Sequence, residues 1–555
     1  MGEKGSKPKQ FKDPIYGYVD VERKYIPAIN SAEFQRLRNI RQTGYASLYP
    51  SALHNRFVHS LGVFHLGKKA ISSLETNIAD QITGTFKVSK DDWNKMKDTF
   101  VWACLLHDVG HSPFSHTGEI FYEQSTMFED EFDNLIRSRH LNIDIVTQRY
   151  GKPHEAMSAI IGINLLDALN IKYDKEFFSR AIMGITYSLS EPDDKGSDND
   201  REIYKKYTED MKLSFQLKNC LISMLNGKLI DVDKLDYLMR DAYVTGYSSM
   251  MIDYERLISG YTIVSSTSVS GSMEYKIGFK KGSLSIIENI IYANDLEKRW
   301  IQGNPTILYD CKLIEKAIEG YDSYMVPKIE VTQGEEKLPG SIFNKQSISH
   351  EGISLKSGDR LRLLCDDDII VYIKNIDNTK ISEHYFSRDK RYKPLWKSEG
   401  DYNQKVKKYI SEKKLDEFRG FLKAKEQKLF FINRESLNNS QNNKEKEFLE
   451  FFKKFYDTNE LRDYDFAIIR APAFKSNREL LENRSIHISL GDGESATFDE
   501  LLYNDKKSVY LKAREEDFFY VYTTDTNIQE MRDRGKDIAI VLSEYINQHW
   551  DIKLS

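Results

Sequence analysis

The sequence predicts a mainly α protein, with a helical core over residues 1–325 and a smaller α+β lobe over residues 326–555. Two observations point there. From Phe11 to about Gly320 apolar residues recur mostly at three- and four-residue spacing. After about Val326 short β-branched and aromatic runs alternate with charged helical stretches. At 555 residues and 64.7 kDa the chain has length for roughly two to four domains and a sizeable core.

Taken in chain order, Ser31–Arg41 (SAEFQRLRNIR), Arg56–Ile71 and Asp98–Leu106 carry the helical spacing. Glu191–Arg201 (EPDDKGSDNDR) is acidic and aperiodic and predicts an exposed loop, as does SSTSVSGS at Ser265–Ser272. Strands are predicted at Ile369–Ile376, Phe466–Ile469, Ile486–Leu490, Val509–Lys512 and Phe518–Tyr522. Helices are predicted at Lys405–Lys428 and Ile528–Trp550, and Asn438–Lys446 reads as a polar linker. No internal repeat is visible.

Composition excludes several functional classes. Hydrophobic residues are 40%, charged residues 30%, and the mean hydropathy is −0.56, as in a soluble globular protein. There is no window of about 18 uninterrupted apolar residues, and the opening MGEKGSKPKQFK has no apolar h-region, so neither a membrane span nor secretion is expected. Eighty Lys+Arg against 85 Asp+Glu leave −5, so no global field recruits nucleic acid or anionic lipid. Lys405–Lys428 is locally basic but alternates with acids and reads as a solvated helix face. Cys104, Cys220, Cys311 and Cys365 are far apart and form no CxxC pair. That spacing argues for a reducing cytoplasm and against a disulfide framework or thiolate zinc site.

Histidine is unevenly placed. Eight of the twelve lie between His54 and His154, where an even spread would put about two. The pair His107–Asp108 follows an apolar helical run (FVWACLL) and precedes a Gly–His–Ser–Pro break. A buried helix end of that kind presents an imidazole and a carboxylate to one point, which is half of a divalent-ion site. His59, in RFVHSLGVFHLG, shares a helical face with Gly62, Val63 and Leu66 that is otherwise core. Asp233 opens VDKLDYLMRD, where Asp233, Lys234, Tyr237 and Asp241 occupy one arc and Leu235, Leu238, Met239 and Ala242 the opposite one. Singly these have plainer readings: a chance dipeptide, a packed core histidine, a solvated face. In the order H…HD…D along a helical chain they form a candidate metal set.

A second cluster, HDVGHSPFSH with Glu119 and later His154–Glu155, brings His111 and His116 onto a short irregular segment closed by Pro113. Glu119, three residues after His116, is expected to keep that imidazole protonated, which suits protonating a leaving oxygen. For His111 a role in orienting the ligands is the competing reading.

The segments FKDPIYGYV, FQRLRNIRQTG, HNRFVHSLGV, HDVGHSPFSH and IDVDKLDYLMRD resemble the successive signatures of the HD-domain deoxynucleoside triphosphate triphosphohydrolases. The resemblance is dense from Phe11 to about Gly246 and weaker beyond, where DFAIIRAPA is similar to the family's regulatory β region. It implies a mainly α HD-domain helical core with a smaller α+β C-terminal lobe for regulation and oligomerisation. It also implies hydrolysis of a dNTP to a deoxynucleoside and inorganic triphosphate. By resemblance, His59, His107, Asp108 and Asp233 hold a divalent metal (Fe, Mn, Zn or Mg), and Arg56 grips the α-phosphate. Lys234 and Tyr237 contact the triphosphate, and Gln42 and Asp241 bind the sugar 3′-hydroxyl. His116, with Glu119 and His154, serves as the acid–base group at the departing 5′-oxygen. The family further implies a homo-oligomer, dimer or tetramer, with a nucleotide effector read by Asn30, Gln35 and Arg38.

Two departures bear on specificity. Where the family reads guanine with an Asp–Gln–Arg set this chain has Asn30, and an amide that donates as well as accepts selects that base edge less sharply. Where the family shows RxxLxRRxYxH, residues 293–303 read ANDLEKRWIQG, so Ala293, Ile301 and Gly303 replace a phosphate-binding arginine, a sugar-packing aromatic and a histidine. Lys298 or Arg299 can compensate for the arginine, but selection of deoxyribose is left open. Two other functions compete with the leading one: an HD phosphodiesterase or nuclease, and a nucleotide sensor without turnover. The lack of a basic stripe with interleaved aromatics argues against the first. Retention of all four ligand residues argues against the second.

Overall fold

The structure, a computed structural model, describes residues 7–123, 152–189, 205, 207–227, 230–247, 251–267, 273–330, 342–376, 379–425, 467–472, 486–491, 493–502, 517–524, 529 and 538–549. A mainly α core and a smaller α+β lobe are both present, in two compact units. One comprises Met1–Asp295, Ile318–Val371 and Asn477–Tyr510, the other Leu296–Ala317, Tyr372–Ser476 and Leu511–Ser555.

The first unit is built on the helices Arg56–Asn77, Lys90–Leu106, Pro153–Ala168, Lys175–Met183, Glu209–Leu225 and Val232–Thr245. Their starts are written locally. Asn55 accepts the Val58 N–H, Ser89 accepts the Asp92 N–H, and Asp231 accepts the Lys234 N–H at 2.6 Å. Asp91 and Asp92 add negative charge where the helix dipole favours it. From Thr99 to Leu106 every residue of Lys90–Leu106 is buried, so His107 and Asp108 at its end are delivered into the interior. Burying each large apolar side chain there contributes about 1.5–3 kcal/mol, and this anchors the helix that positions the site.

Strands also occur in the half predicted to be mainly helical. Lys9–Asp13 and Gly17–Val21 pair as a hairpin, and Tyr261–Thr267 pairs antiparallel with Met273–Lys280. Ser265–Thr267, read from the sequence as loop, are strand. Glu494–Thr497 and His487–Gly491 extend that sheet, with His487–Gly491 parallel to Met273–Lys280.

The second unit centres on Phe518–Thr523, buried along its whole length between Lys393–Pro394 and Ala467–Ala471. Trp396 donates its indole N–H to the Phe519 carbonyl at 2.8 Å, and Tyr522 donates to the Pro305 carbonyl at 2.7 Å. Within the predicted helix Lys405–Lys428, the segment Glu412–Lys425 is helical but not wholly solvated: Leu415, Phe418 and Leu422 form a buried stripe. Ile538–His549 realises part of the last predicted helix.

One predicted strand is a helix. Asp366–Asn375 takes the place of the strand expected at Ile369–Ile376, with Asp366, Asp367 and Asp368 in its first turn. Ile369 and Ile373, four residues apart, are fully buried while Val371 is 52% exposed, a helical rather than an alternating pattern. The β-branched composition was outweighed by the acidic start and the burial of one face. The features expected at Glu191–Arg201, Asn438–Lys446 and Val509–Lys512 lie outside the described residues. Among the described residues no helix is long and apolar enough to cross a membrane.

Candidate metal centre

Three helices meet where the sequence places its metal set. His59 projects from Arg56–Asn77, His107 and Asp108 from the end of Lys90–Leu106, and Asp233 from the first turn of Val232–Thr245. The first and third approach so closely that a Cβ on Gly62 would lie 1.8 Å from Asp236 Oδ1 and 2.6 Å from Arg240 Nη2. Only glycine permits that contact.

The donor atoms converge. His59 Nε2 is 3.3 Å from His107 Nε2, 2.9 Å from Asp233 Oδ1 and 3.5 Å from Asp108 Oδ2. His107 Nε2 is 3.4 Å from Asp108 Oδ1 and 3.7 Å from Asp233 Oδ1. Donors about 2.1 Å from one divalent ion stand about 3 Å apart, so His59, His107 and Asp108 fit such an ion, with Asp233 Oδ1 beside the two imidazoles. His59, His107 and Asp108 are buried, and Asp233, with its side chain 38% exposed, forms the open side.

Hydrogen bonds fix the imidazoles for ligation. His59 Nδ1 lies 2.7 Å from Asp236 Oδ2, and His107 Nδ1 lies 3.0 Å from the Cys104 carbonyl. An ionised carboxylate and a carbonyl can only accept, so each Nδ1 carries its proton and each Nε2 faces the site. Burial opposes protonation of His59, yet Asp233 and Asp236 hold its pKa up at about 9. Burial likewise opposes ionisation of Asp108, but Arg56, His107 and His111 hold its carboxyl well below the usual range. The pocket therefore concentrates negative charge that favours a cation at one point.

Around this set the structure places the expected substrate groups. Arg56 donates to Asp108 Oδ2 at 2.7 Å, to Ser115 Oγ at 2.8 Å and to the Gln42 carbonyl at 3.5 Å. Lys234 is held by Asp231 Oδ2 and the Gly227 carbonyl, each at 2.5 Å. Tyr237 is half-buried on the same helix. Gln42 and Asp241 flank His54: Gln42 N–H donates to the His54 carbonyl at 3.0 Å, and His54 Nε2 is 2.8 Å from Asp241 Oδ1.

The second cluster adjoins the first through His111, whose Nε2 is 3.3 Å from Asp108 Oδ1 and whose Nδ1 is 3.8 Å from Glu119 Oε1. Glu119 Oε1 also takes His116 Nδ1 at 2.5 Å and His154 Nδ1 at 2.6 Å. These four side chains are a second donor set within reach of one ion. His111 and His154 stack with planes 15° apart and centroids 3.9 Å apart, and the Nδ1 atoms of His111, His116 and His154 all face Glu119 Oε1. That suits proton handling better than shared ligation. The expectation that Glu119 keeps His116 protonated is corrected. Although the His116 side chain is 57% exposed, desolvation by the surrounding cluster outweighs Glu119 and lowers its pKa.

The expected effector residues lie together on the segment 26–39. Asn30 and Arg38 are exposed, Gln35 donates to the Ile29 carbonyl at 2.7 Å, and Arg38 donates to Gln35 Oε1 at 2.8 Å. Ala293, Ile301 and Gly303 are all buried.

Sequence reasoning missed Asp236, Ser115 and His54. Asp236 carried a signal: it sits one turn after Asp233 on the same flank, and a ligating histidine characteristically donates its second N–H to a carboxylate. Ser115 and His54 act through tertiary contacts that no local spacing reveals.

Residues 56–164 match the HD domain family model, and His59, His107 and Asp108, a group that could hold a metal ion, lie within that match. The chain's relatives include the deoxynucleoside triphosphate triphosphohydrolase SAMHD1 of Xenopus laevis, 30% identical over 263 residues, which are 45% of this chain and 36% of that one. An uncharacterized protein of Mycoplasma genitalium is 30% identical over 285 residues, 51% of this chain and 53% of its own length. The chain thus spans about half, or less, of the length of the curated relatives it matches. A hypothetical protein from Aquifex aeolicus of known crystal structure matches with a TM-score of 0.52 at 19% identity, covering 95% of this chain and 100% of the other. At that identity the match establishes the fold alone.

Proposed function

We propose that the chain is a metal-dependent dNTP triphosphohydrolase, cleaving a dNTP to a deoxynucleoside and inorganic triphosphate. The observation that carries this reading is the adjacency of two clusters, His59–His107–Asp108 with Asp233 beside them and His116–Glu119–His154, joined through His111. The similarity to SAMHD1 proteins over a little under half of the chain supports the choice of substrate.

His59, His107, Asp108 and Asp233 would hold the metal. A divalent ion held there would supply Lewis acidity toward water and the α-phosphoryl group. Arg56, fixed between Asp108 and Ser115, presents a rigid guanidinium edge to phosphoryl oxygens. Lys234 and Tyr237 lie on the helix flank where the triphosphate tail would run, and Lys234 would exchange Asp231 for phosphate. Gln42 and Asp241, tied by His54, would read the sugar hydroxyl. His116 is anchored through Nδ1 on Glu119, so its Nε2 is the proton donor to the departing 5′-oxygen. A bound triphosphate raises the pKa of that imidazole by adding negative charge beside it. In this reading Asn30, Gln35 and Arg38 contact a nucleotide effector in a homo-oligomer.

An anion-exchange product assay tests the proposal. Protein with Mn²⁺ or Mg²⁺ receives each dNTP singly, then all four together, then GTP or ATP in addition. Deoxynucleoside plus triphosphate supports it, and activity only with mixtures supports the effector role. Release of monophosphates from oligonucleotides or cyclic nucleotides instead would move the substrate to another phosphoester.

A further inference from the structure

We propose that Asp366 is a positioning residue for the metal-side loop, clamping from a distant part of the chain the backbone that carries Asp108, His111, Ser115 and His116. Its two carboxylate oxygens both serve other segments: Oδ1 accepts the Phe114 N–H at 2.6 Å and Oδ2 accepts the Arg41 N–H at 3.0 Å. The side chain is buried within the first unit.

The loop needs an external hold. Phe114 and Ser115 stand at φ +56° and +54°, two successive non-glycine residues in the left-handed region. Each costs about 1 kcal/mol or more and persists only where its surroundings fix it. Asp366 closes a ring that does so. It binds the Phe114 and Arg41 amides, while the Ser115 hydroxyl donates to the Arg41 carbonyl at 2.5 Å and accepts from Arg56 at 2.8 Å. Arg56 in turn holds Asp108 at 2.7 Å, so the ring ends at a metal-set carboxylate.

A second clamp from the same stretch reaches the loop's other end. The buried Arg36 donates to the Leu364 carbonyl at 2.7 Å, the His111 carbonyl at 2.5 Å and the Val109 carbonyl at 3.5 Å. The segment 364–366 therefore fixes both Val109–His111 and Phe114, the two shoulders of the loop. Burial pushes the Asp366 carboxyl up to about 7 against the pull of the two amides and of Arg41 and Arg36. An acid held that way destabilises the fold more than an apolar residue would, and orientation of the loop is what it provides in return.

Hydrogen exchange on the full chain tests this without requiring any substrate. In Asp366→Ala, amides in the peptides spanning 41 and 109–116 are expected to exchange about tenfold faster or more, because two buried acceptor contacts are gone. Asp366→Asn, which keeps one acceptor oxygen, should fall between this and wild type and serves if the alanine variant does not fold. Ile82→Ala, a core truncation on another helix, is the control for general loosening. With dNTP turnover, kcat should fall about tenfold or more while KM stays within about threefold, since orientation of Arg56 and His116 bears on the transition state. Protection of 109–116 equal to that of the Ile82→Ala control in both Asp366 variants overturns the inference. If the wild type hydrolyses no dNTP, exchange still decides it, so the two proposals fail separately.

Discussion

Asp236 Oδ2 lies 2.7 Å from His59 Nδ1, with both side chains fully buried, and Asp236 is itself held by Arg240 at 2.9 Å and by the Tyr16 hydroxyl at 2.6 Å. The carboxylate sets the tautomer that points His59 Nε2 toward His107, Asp108 and Asp233, the candidate metal centre. Asp236→Asn removes the charge and lets the ring rotate or change tautomer. Metal affinity is expected to fall about 10–100-fold with little change in fold. Competition with a coloured chelator measures it, and an unchanged affinity would remove Asp236 from the site.

Substituting His107 and Asp108 together by Ala should abolish metal content and phosphohydrolase activity at once. Elemental analysis of the purified variant beside the product assay reads both. Activity that survives the double change would sink the metal-centred account.

Glu119→Gln should separate chemistry from metal binding. The amide keeps an acceptor oxygen but loses the negative charge that draws protons to His116 and His154, so kcat is expected to drop about 10²–10⁴-fold. Metal content should remain that of wild type, because Glu119 is outside the four-donor set. A loss of less than about fivefold would assign the proton to another group.

Gly62→Ala places a methyl group against Asp236 and Arg240, both buried in a salt-bridged pair. Separation of the two helices should cost about 1–3 kcal/mol in denaturant unfolding of the metal-free protein and weaken metal binding as well. Equal stability of variant and wild type would mean that the helices have room to part.

Stability should also depend on pH through Asp366. Its folded pKa of about 7 stands above the ordinary 3.8, so the folded state holds the proton more tightly than the unfolded chain. Its stabilising contribution is full below the unfolded pKa and is lost as pH rises through about 7. Between pH 5 and 7 the wild type should lose up to about 1 kcal/mol per pH unit relative to Asp366→Asn. Melting curves of both proteins across that range check the sign, and parallel curves would contradict it.

The sequence by itself determined the helical core, because the spacing of apolar residues and the caps Asn55, Ser89 and Asp231 are local instructions. It also marked His59 and His107–Asp108, because ligand residue types in otherwise apolar helical stretches stand out along a chain, and Asp233, because it opens a polar arc on an amphipathic helix. Composition misled at Asp366–Asn375, where β-branched residues suggested a strand and burial of Ile369 and Ile373 made a helix. Tertiary structure alone decided which second groups act. Asp236 reaches His59 across 177 residues and Asp366 reaches Phe114 across 252. It also decided that His487–Gly491 joins the sheet of Met273–Lys280. Those pairings depend on close approach, such as Gly62 permits, and on burial that raises the strength of each hydrogen bond. Neither is a property of any short stretch of sequence.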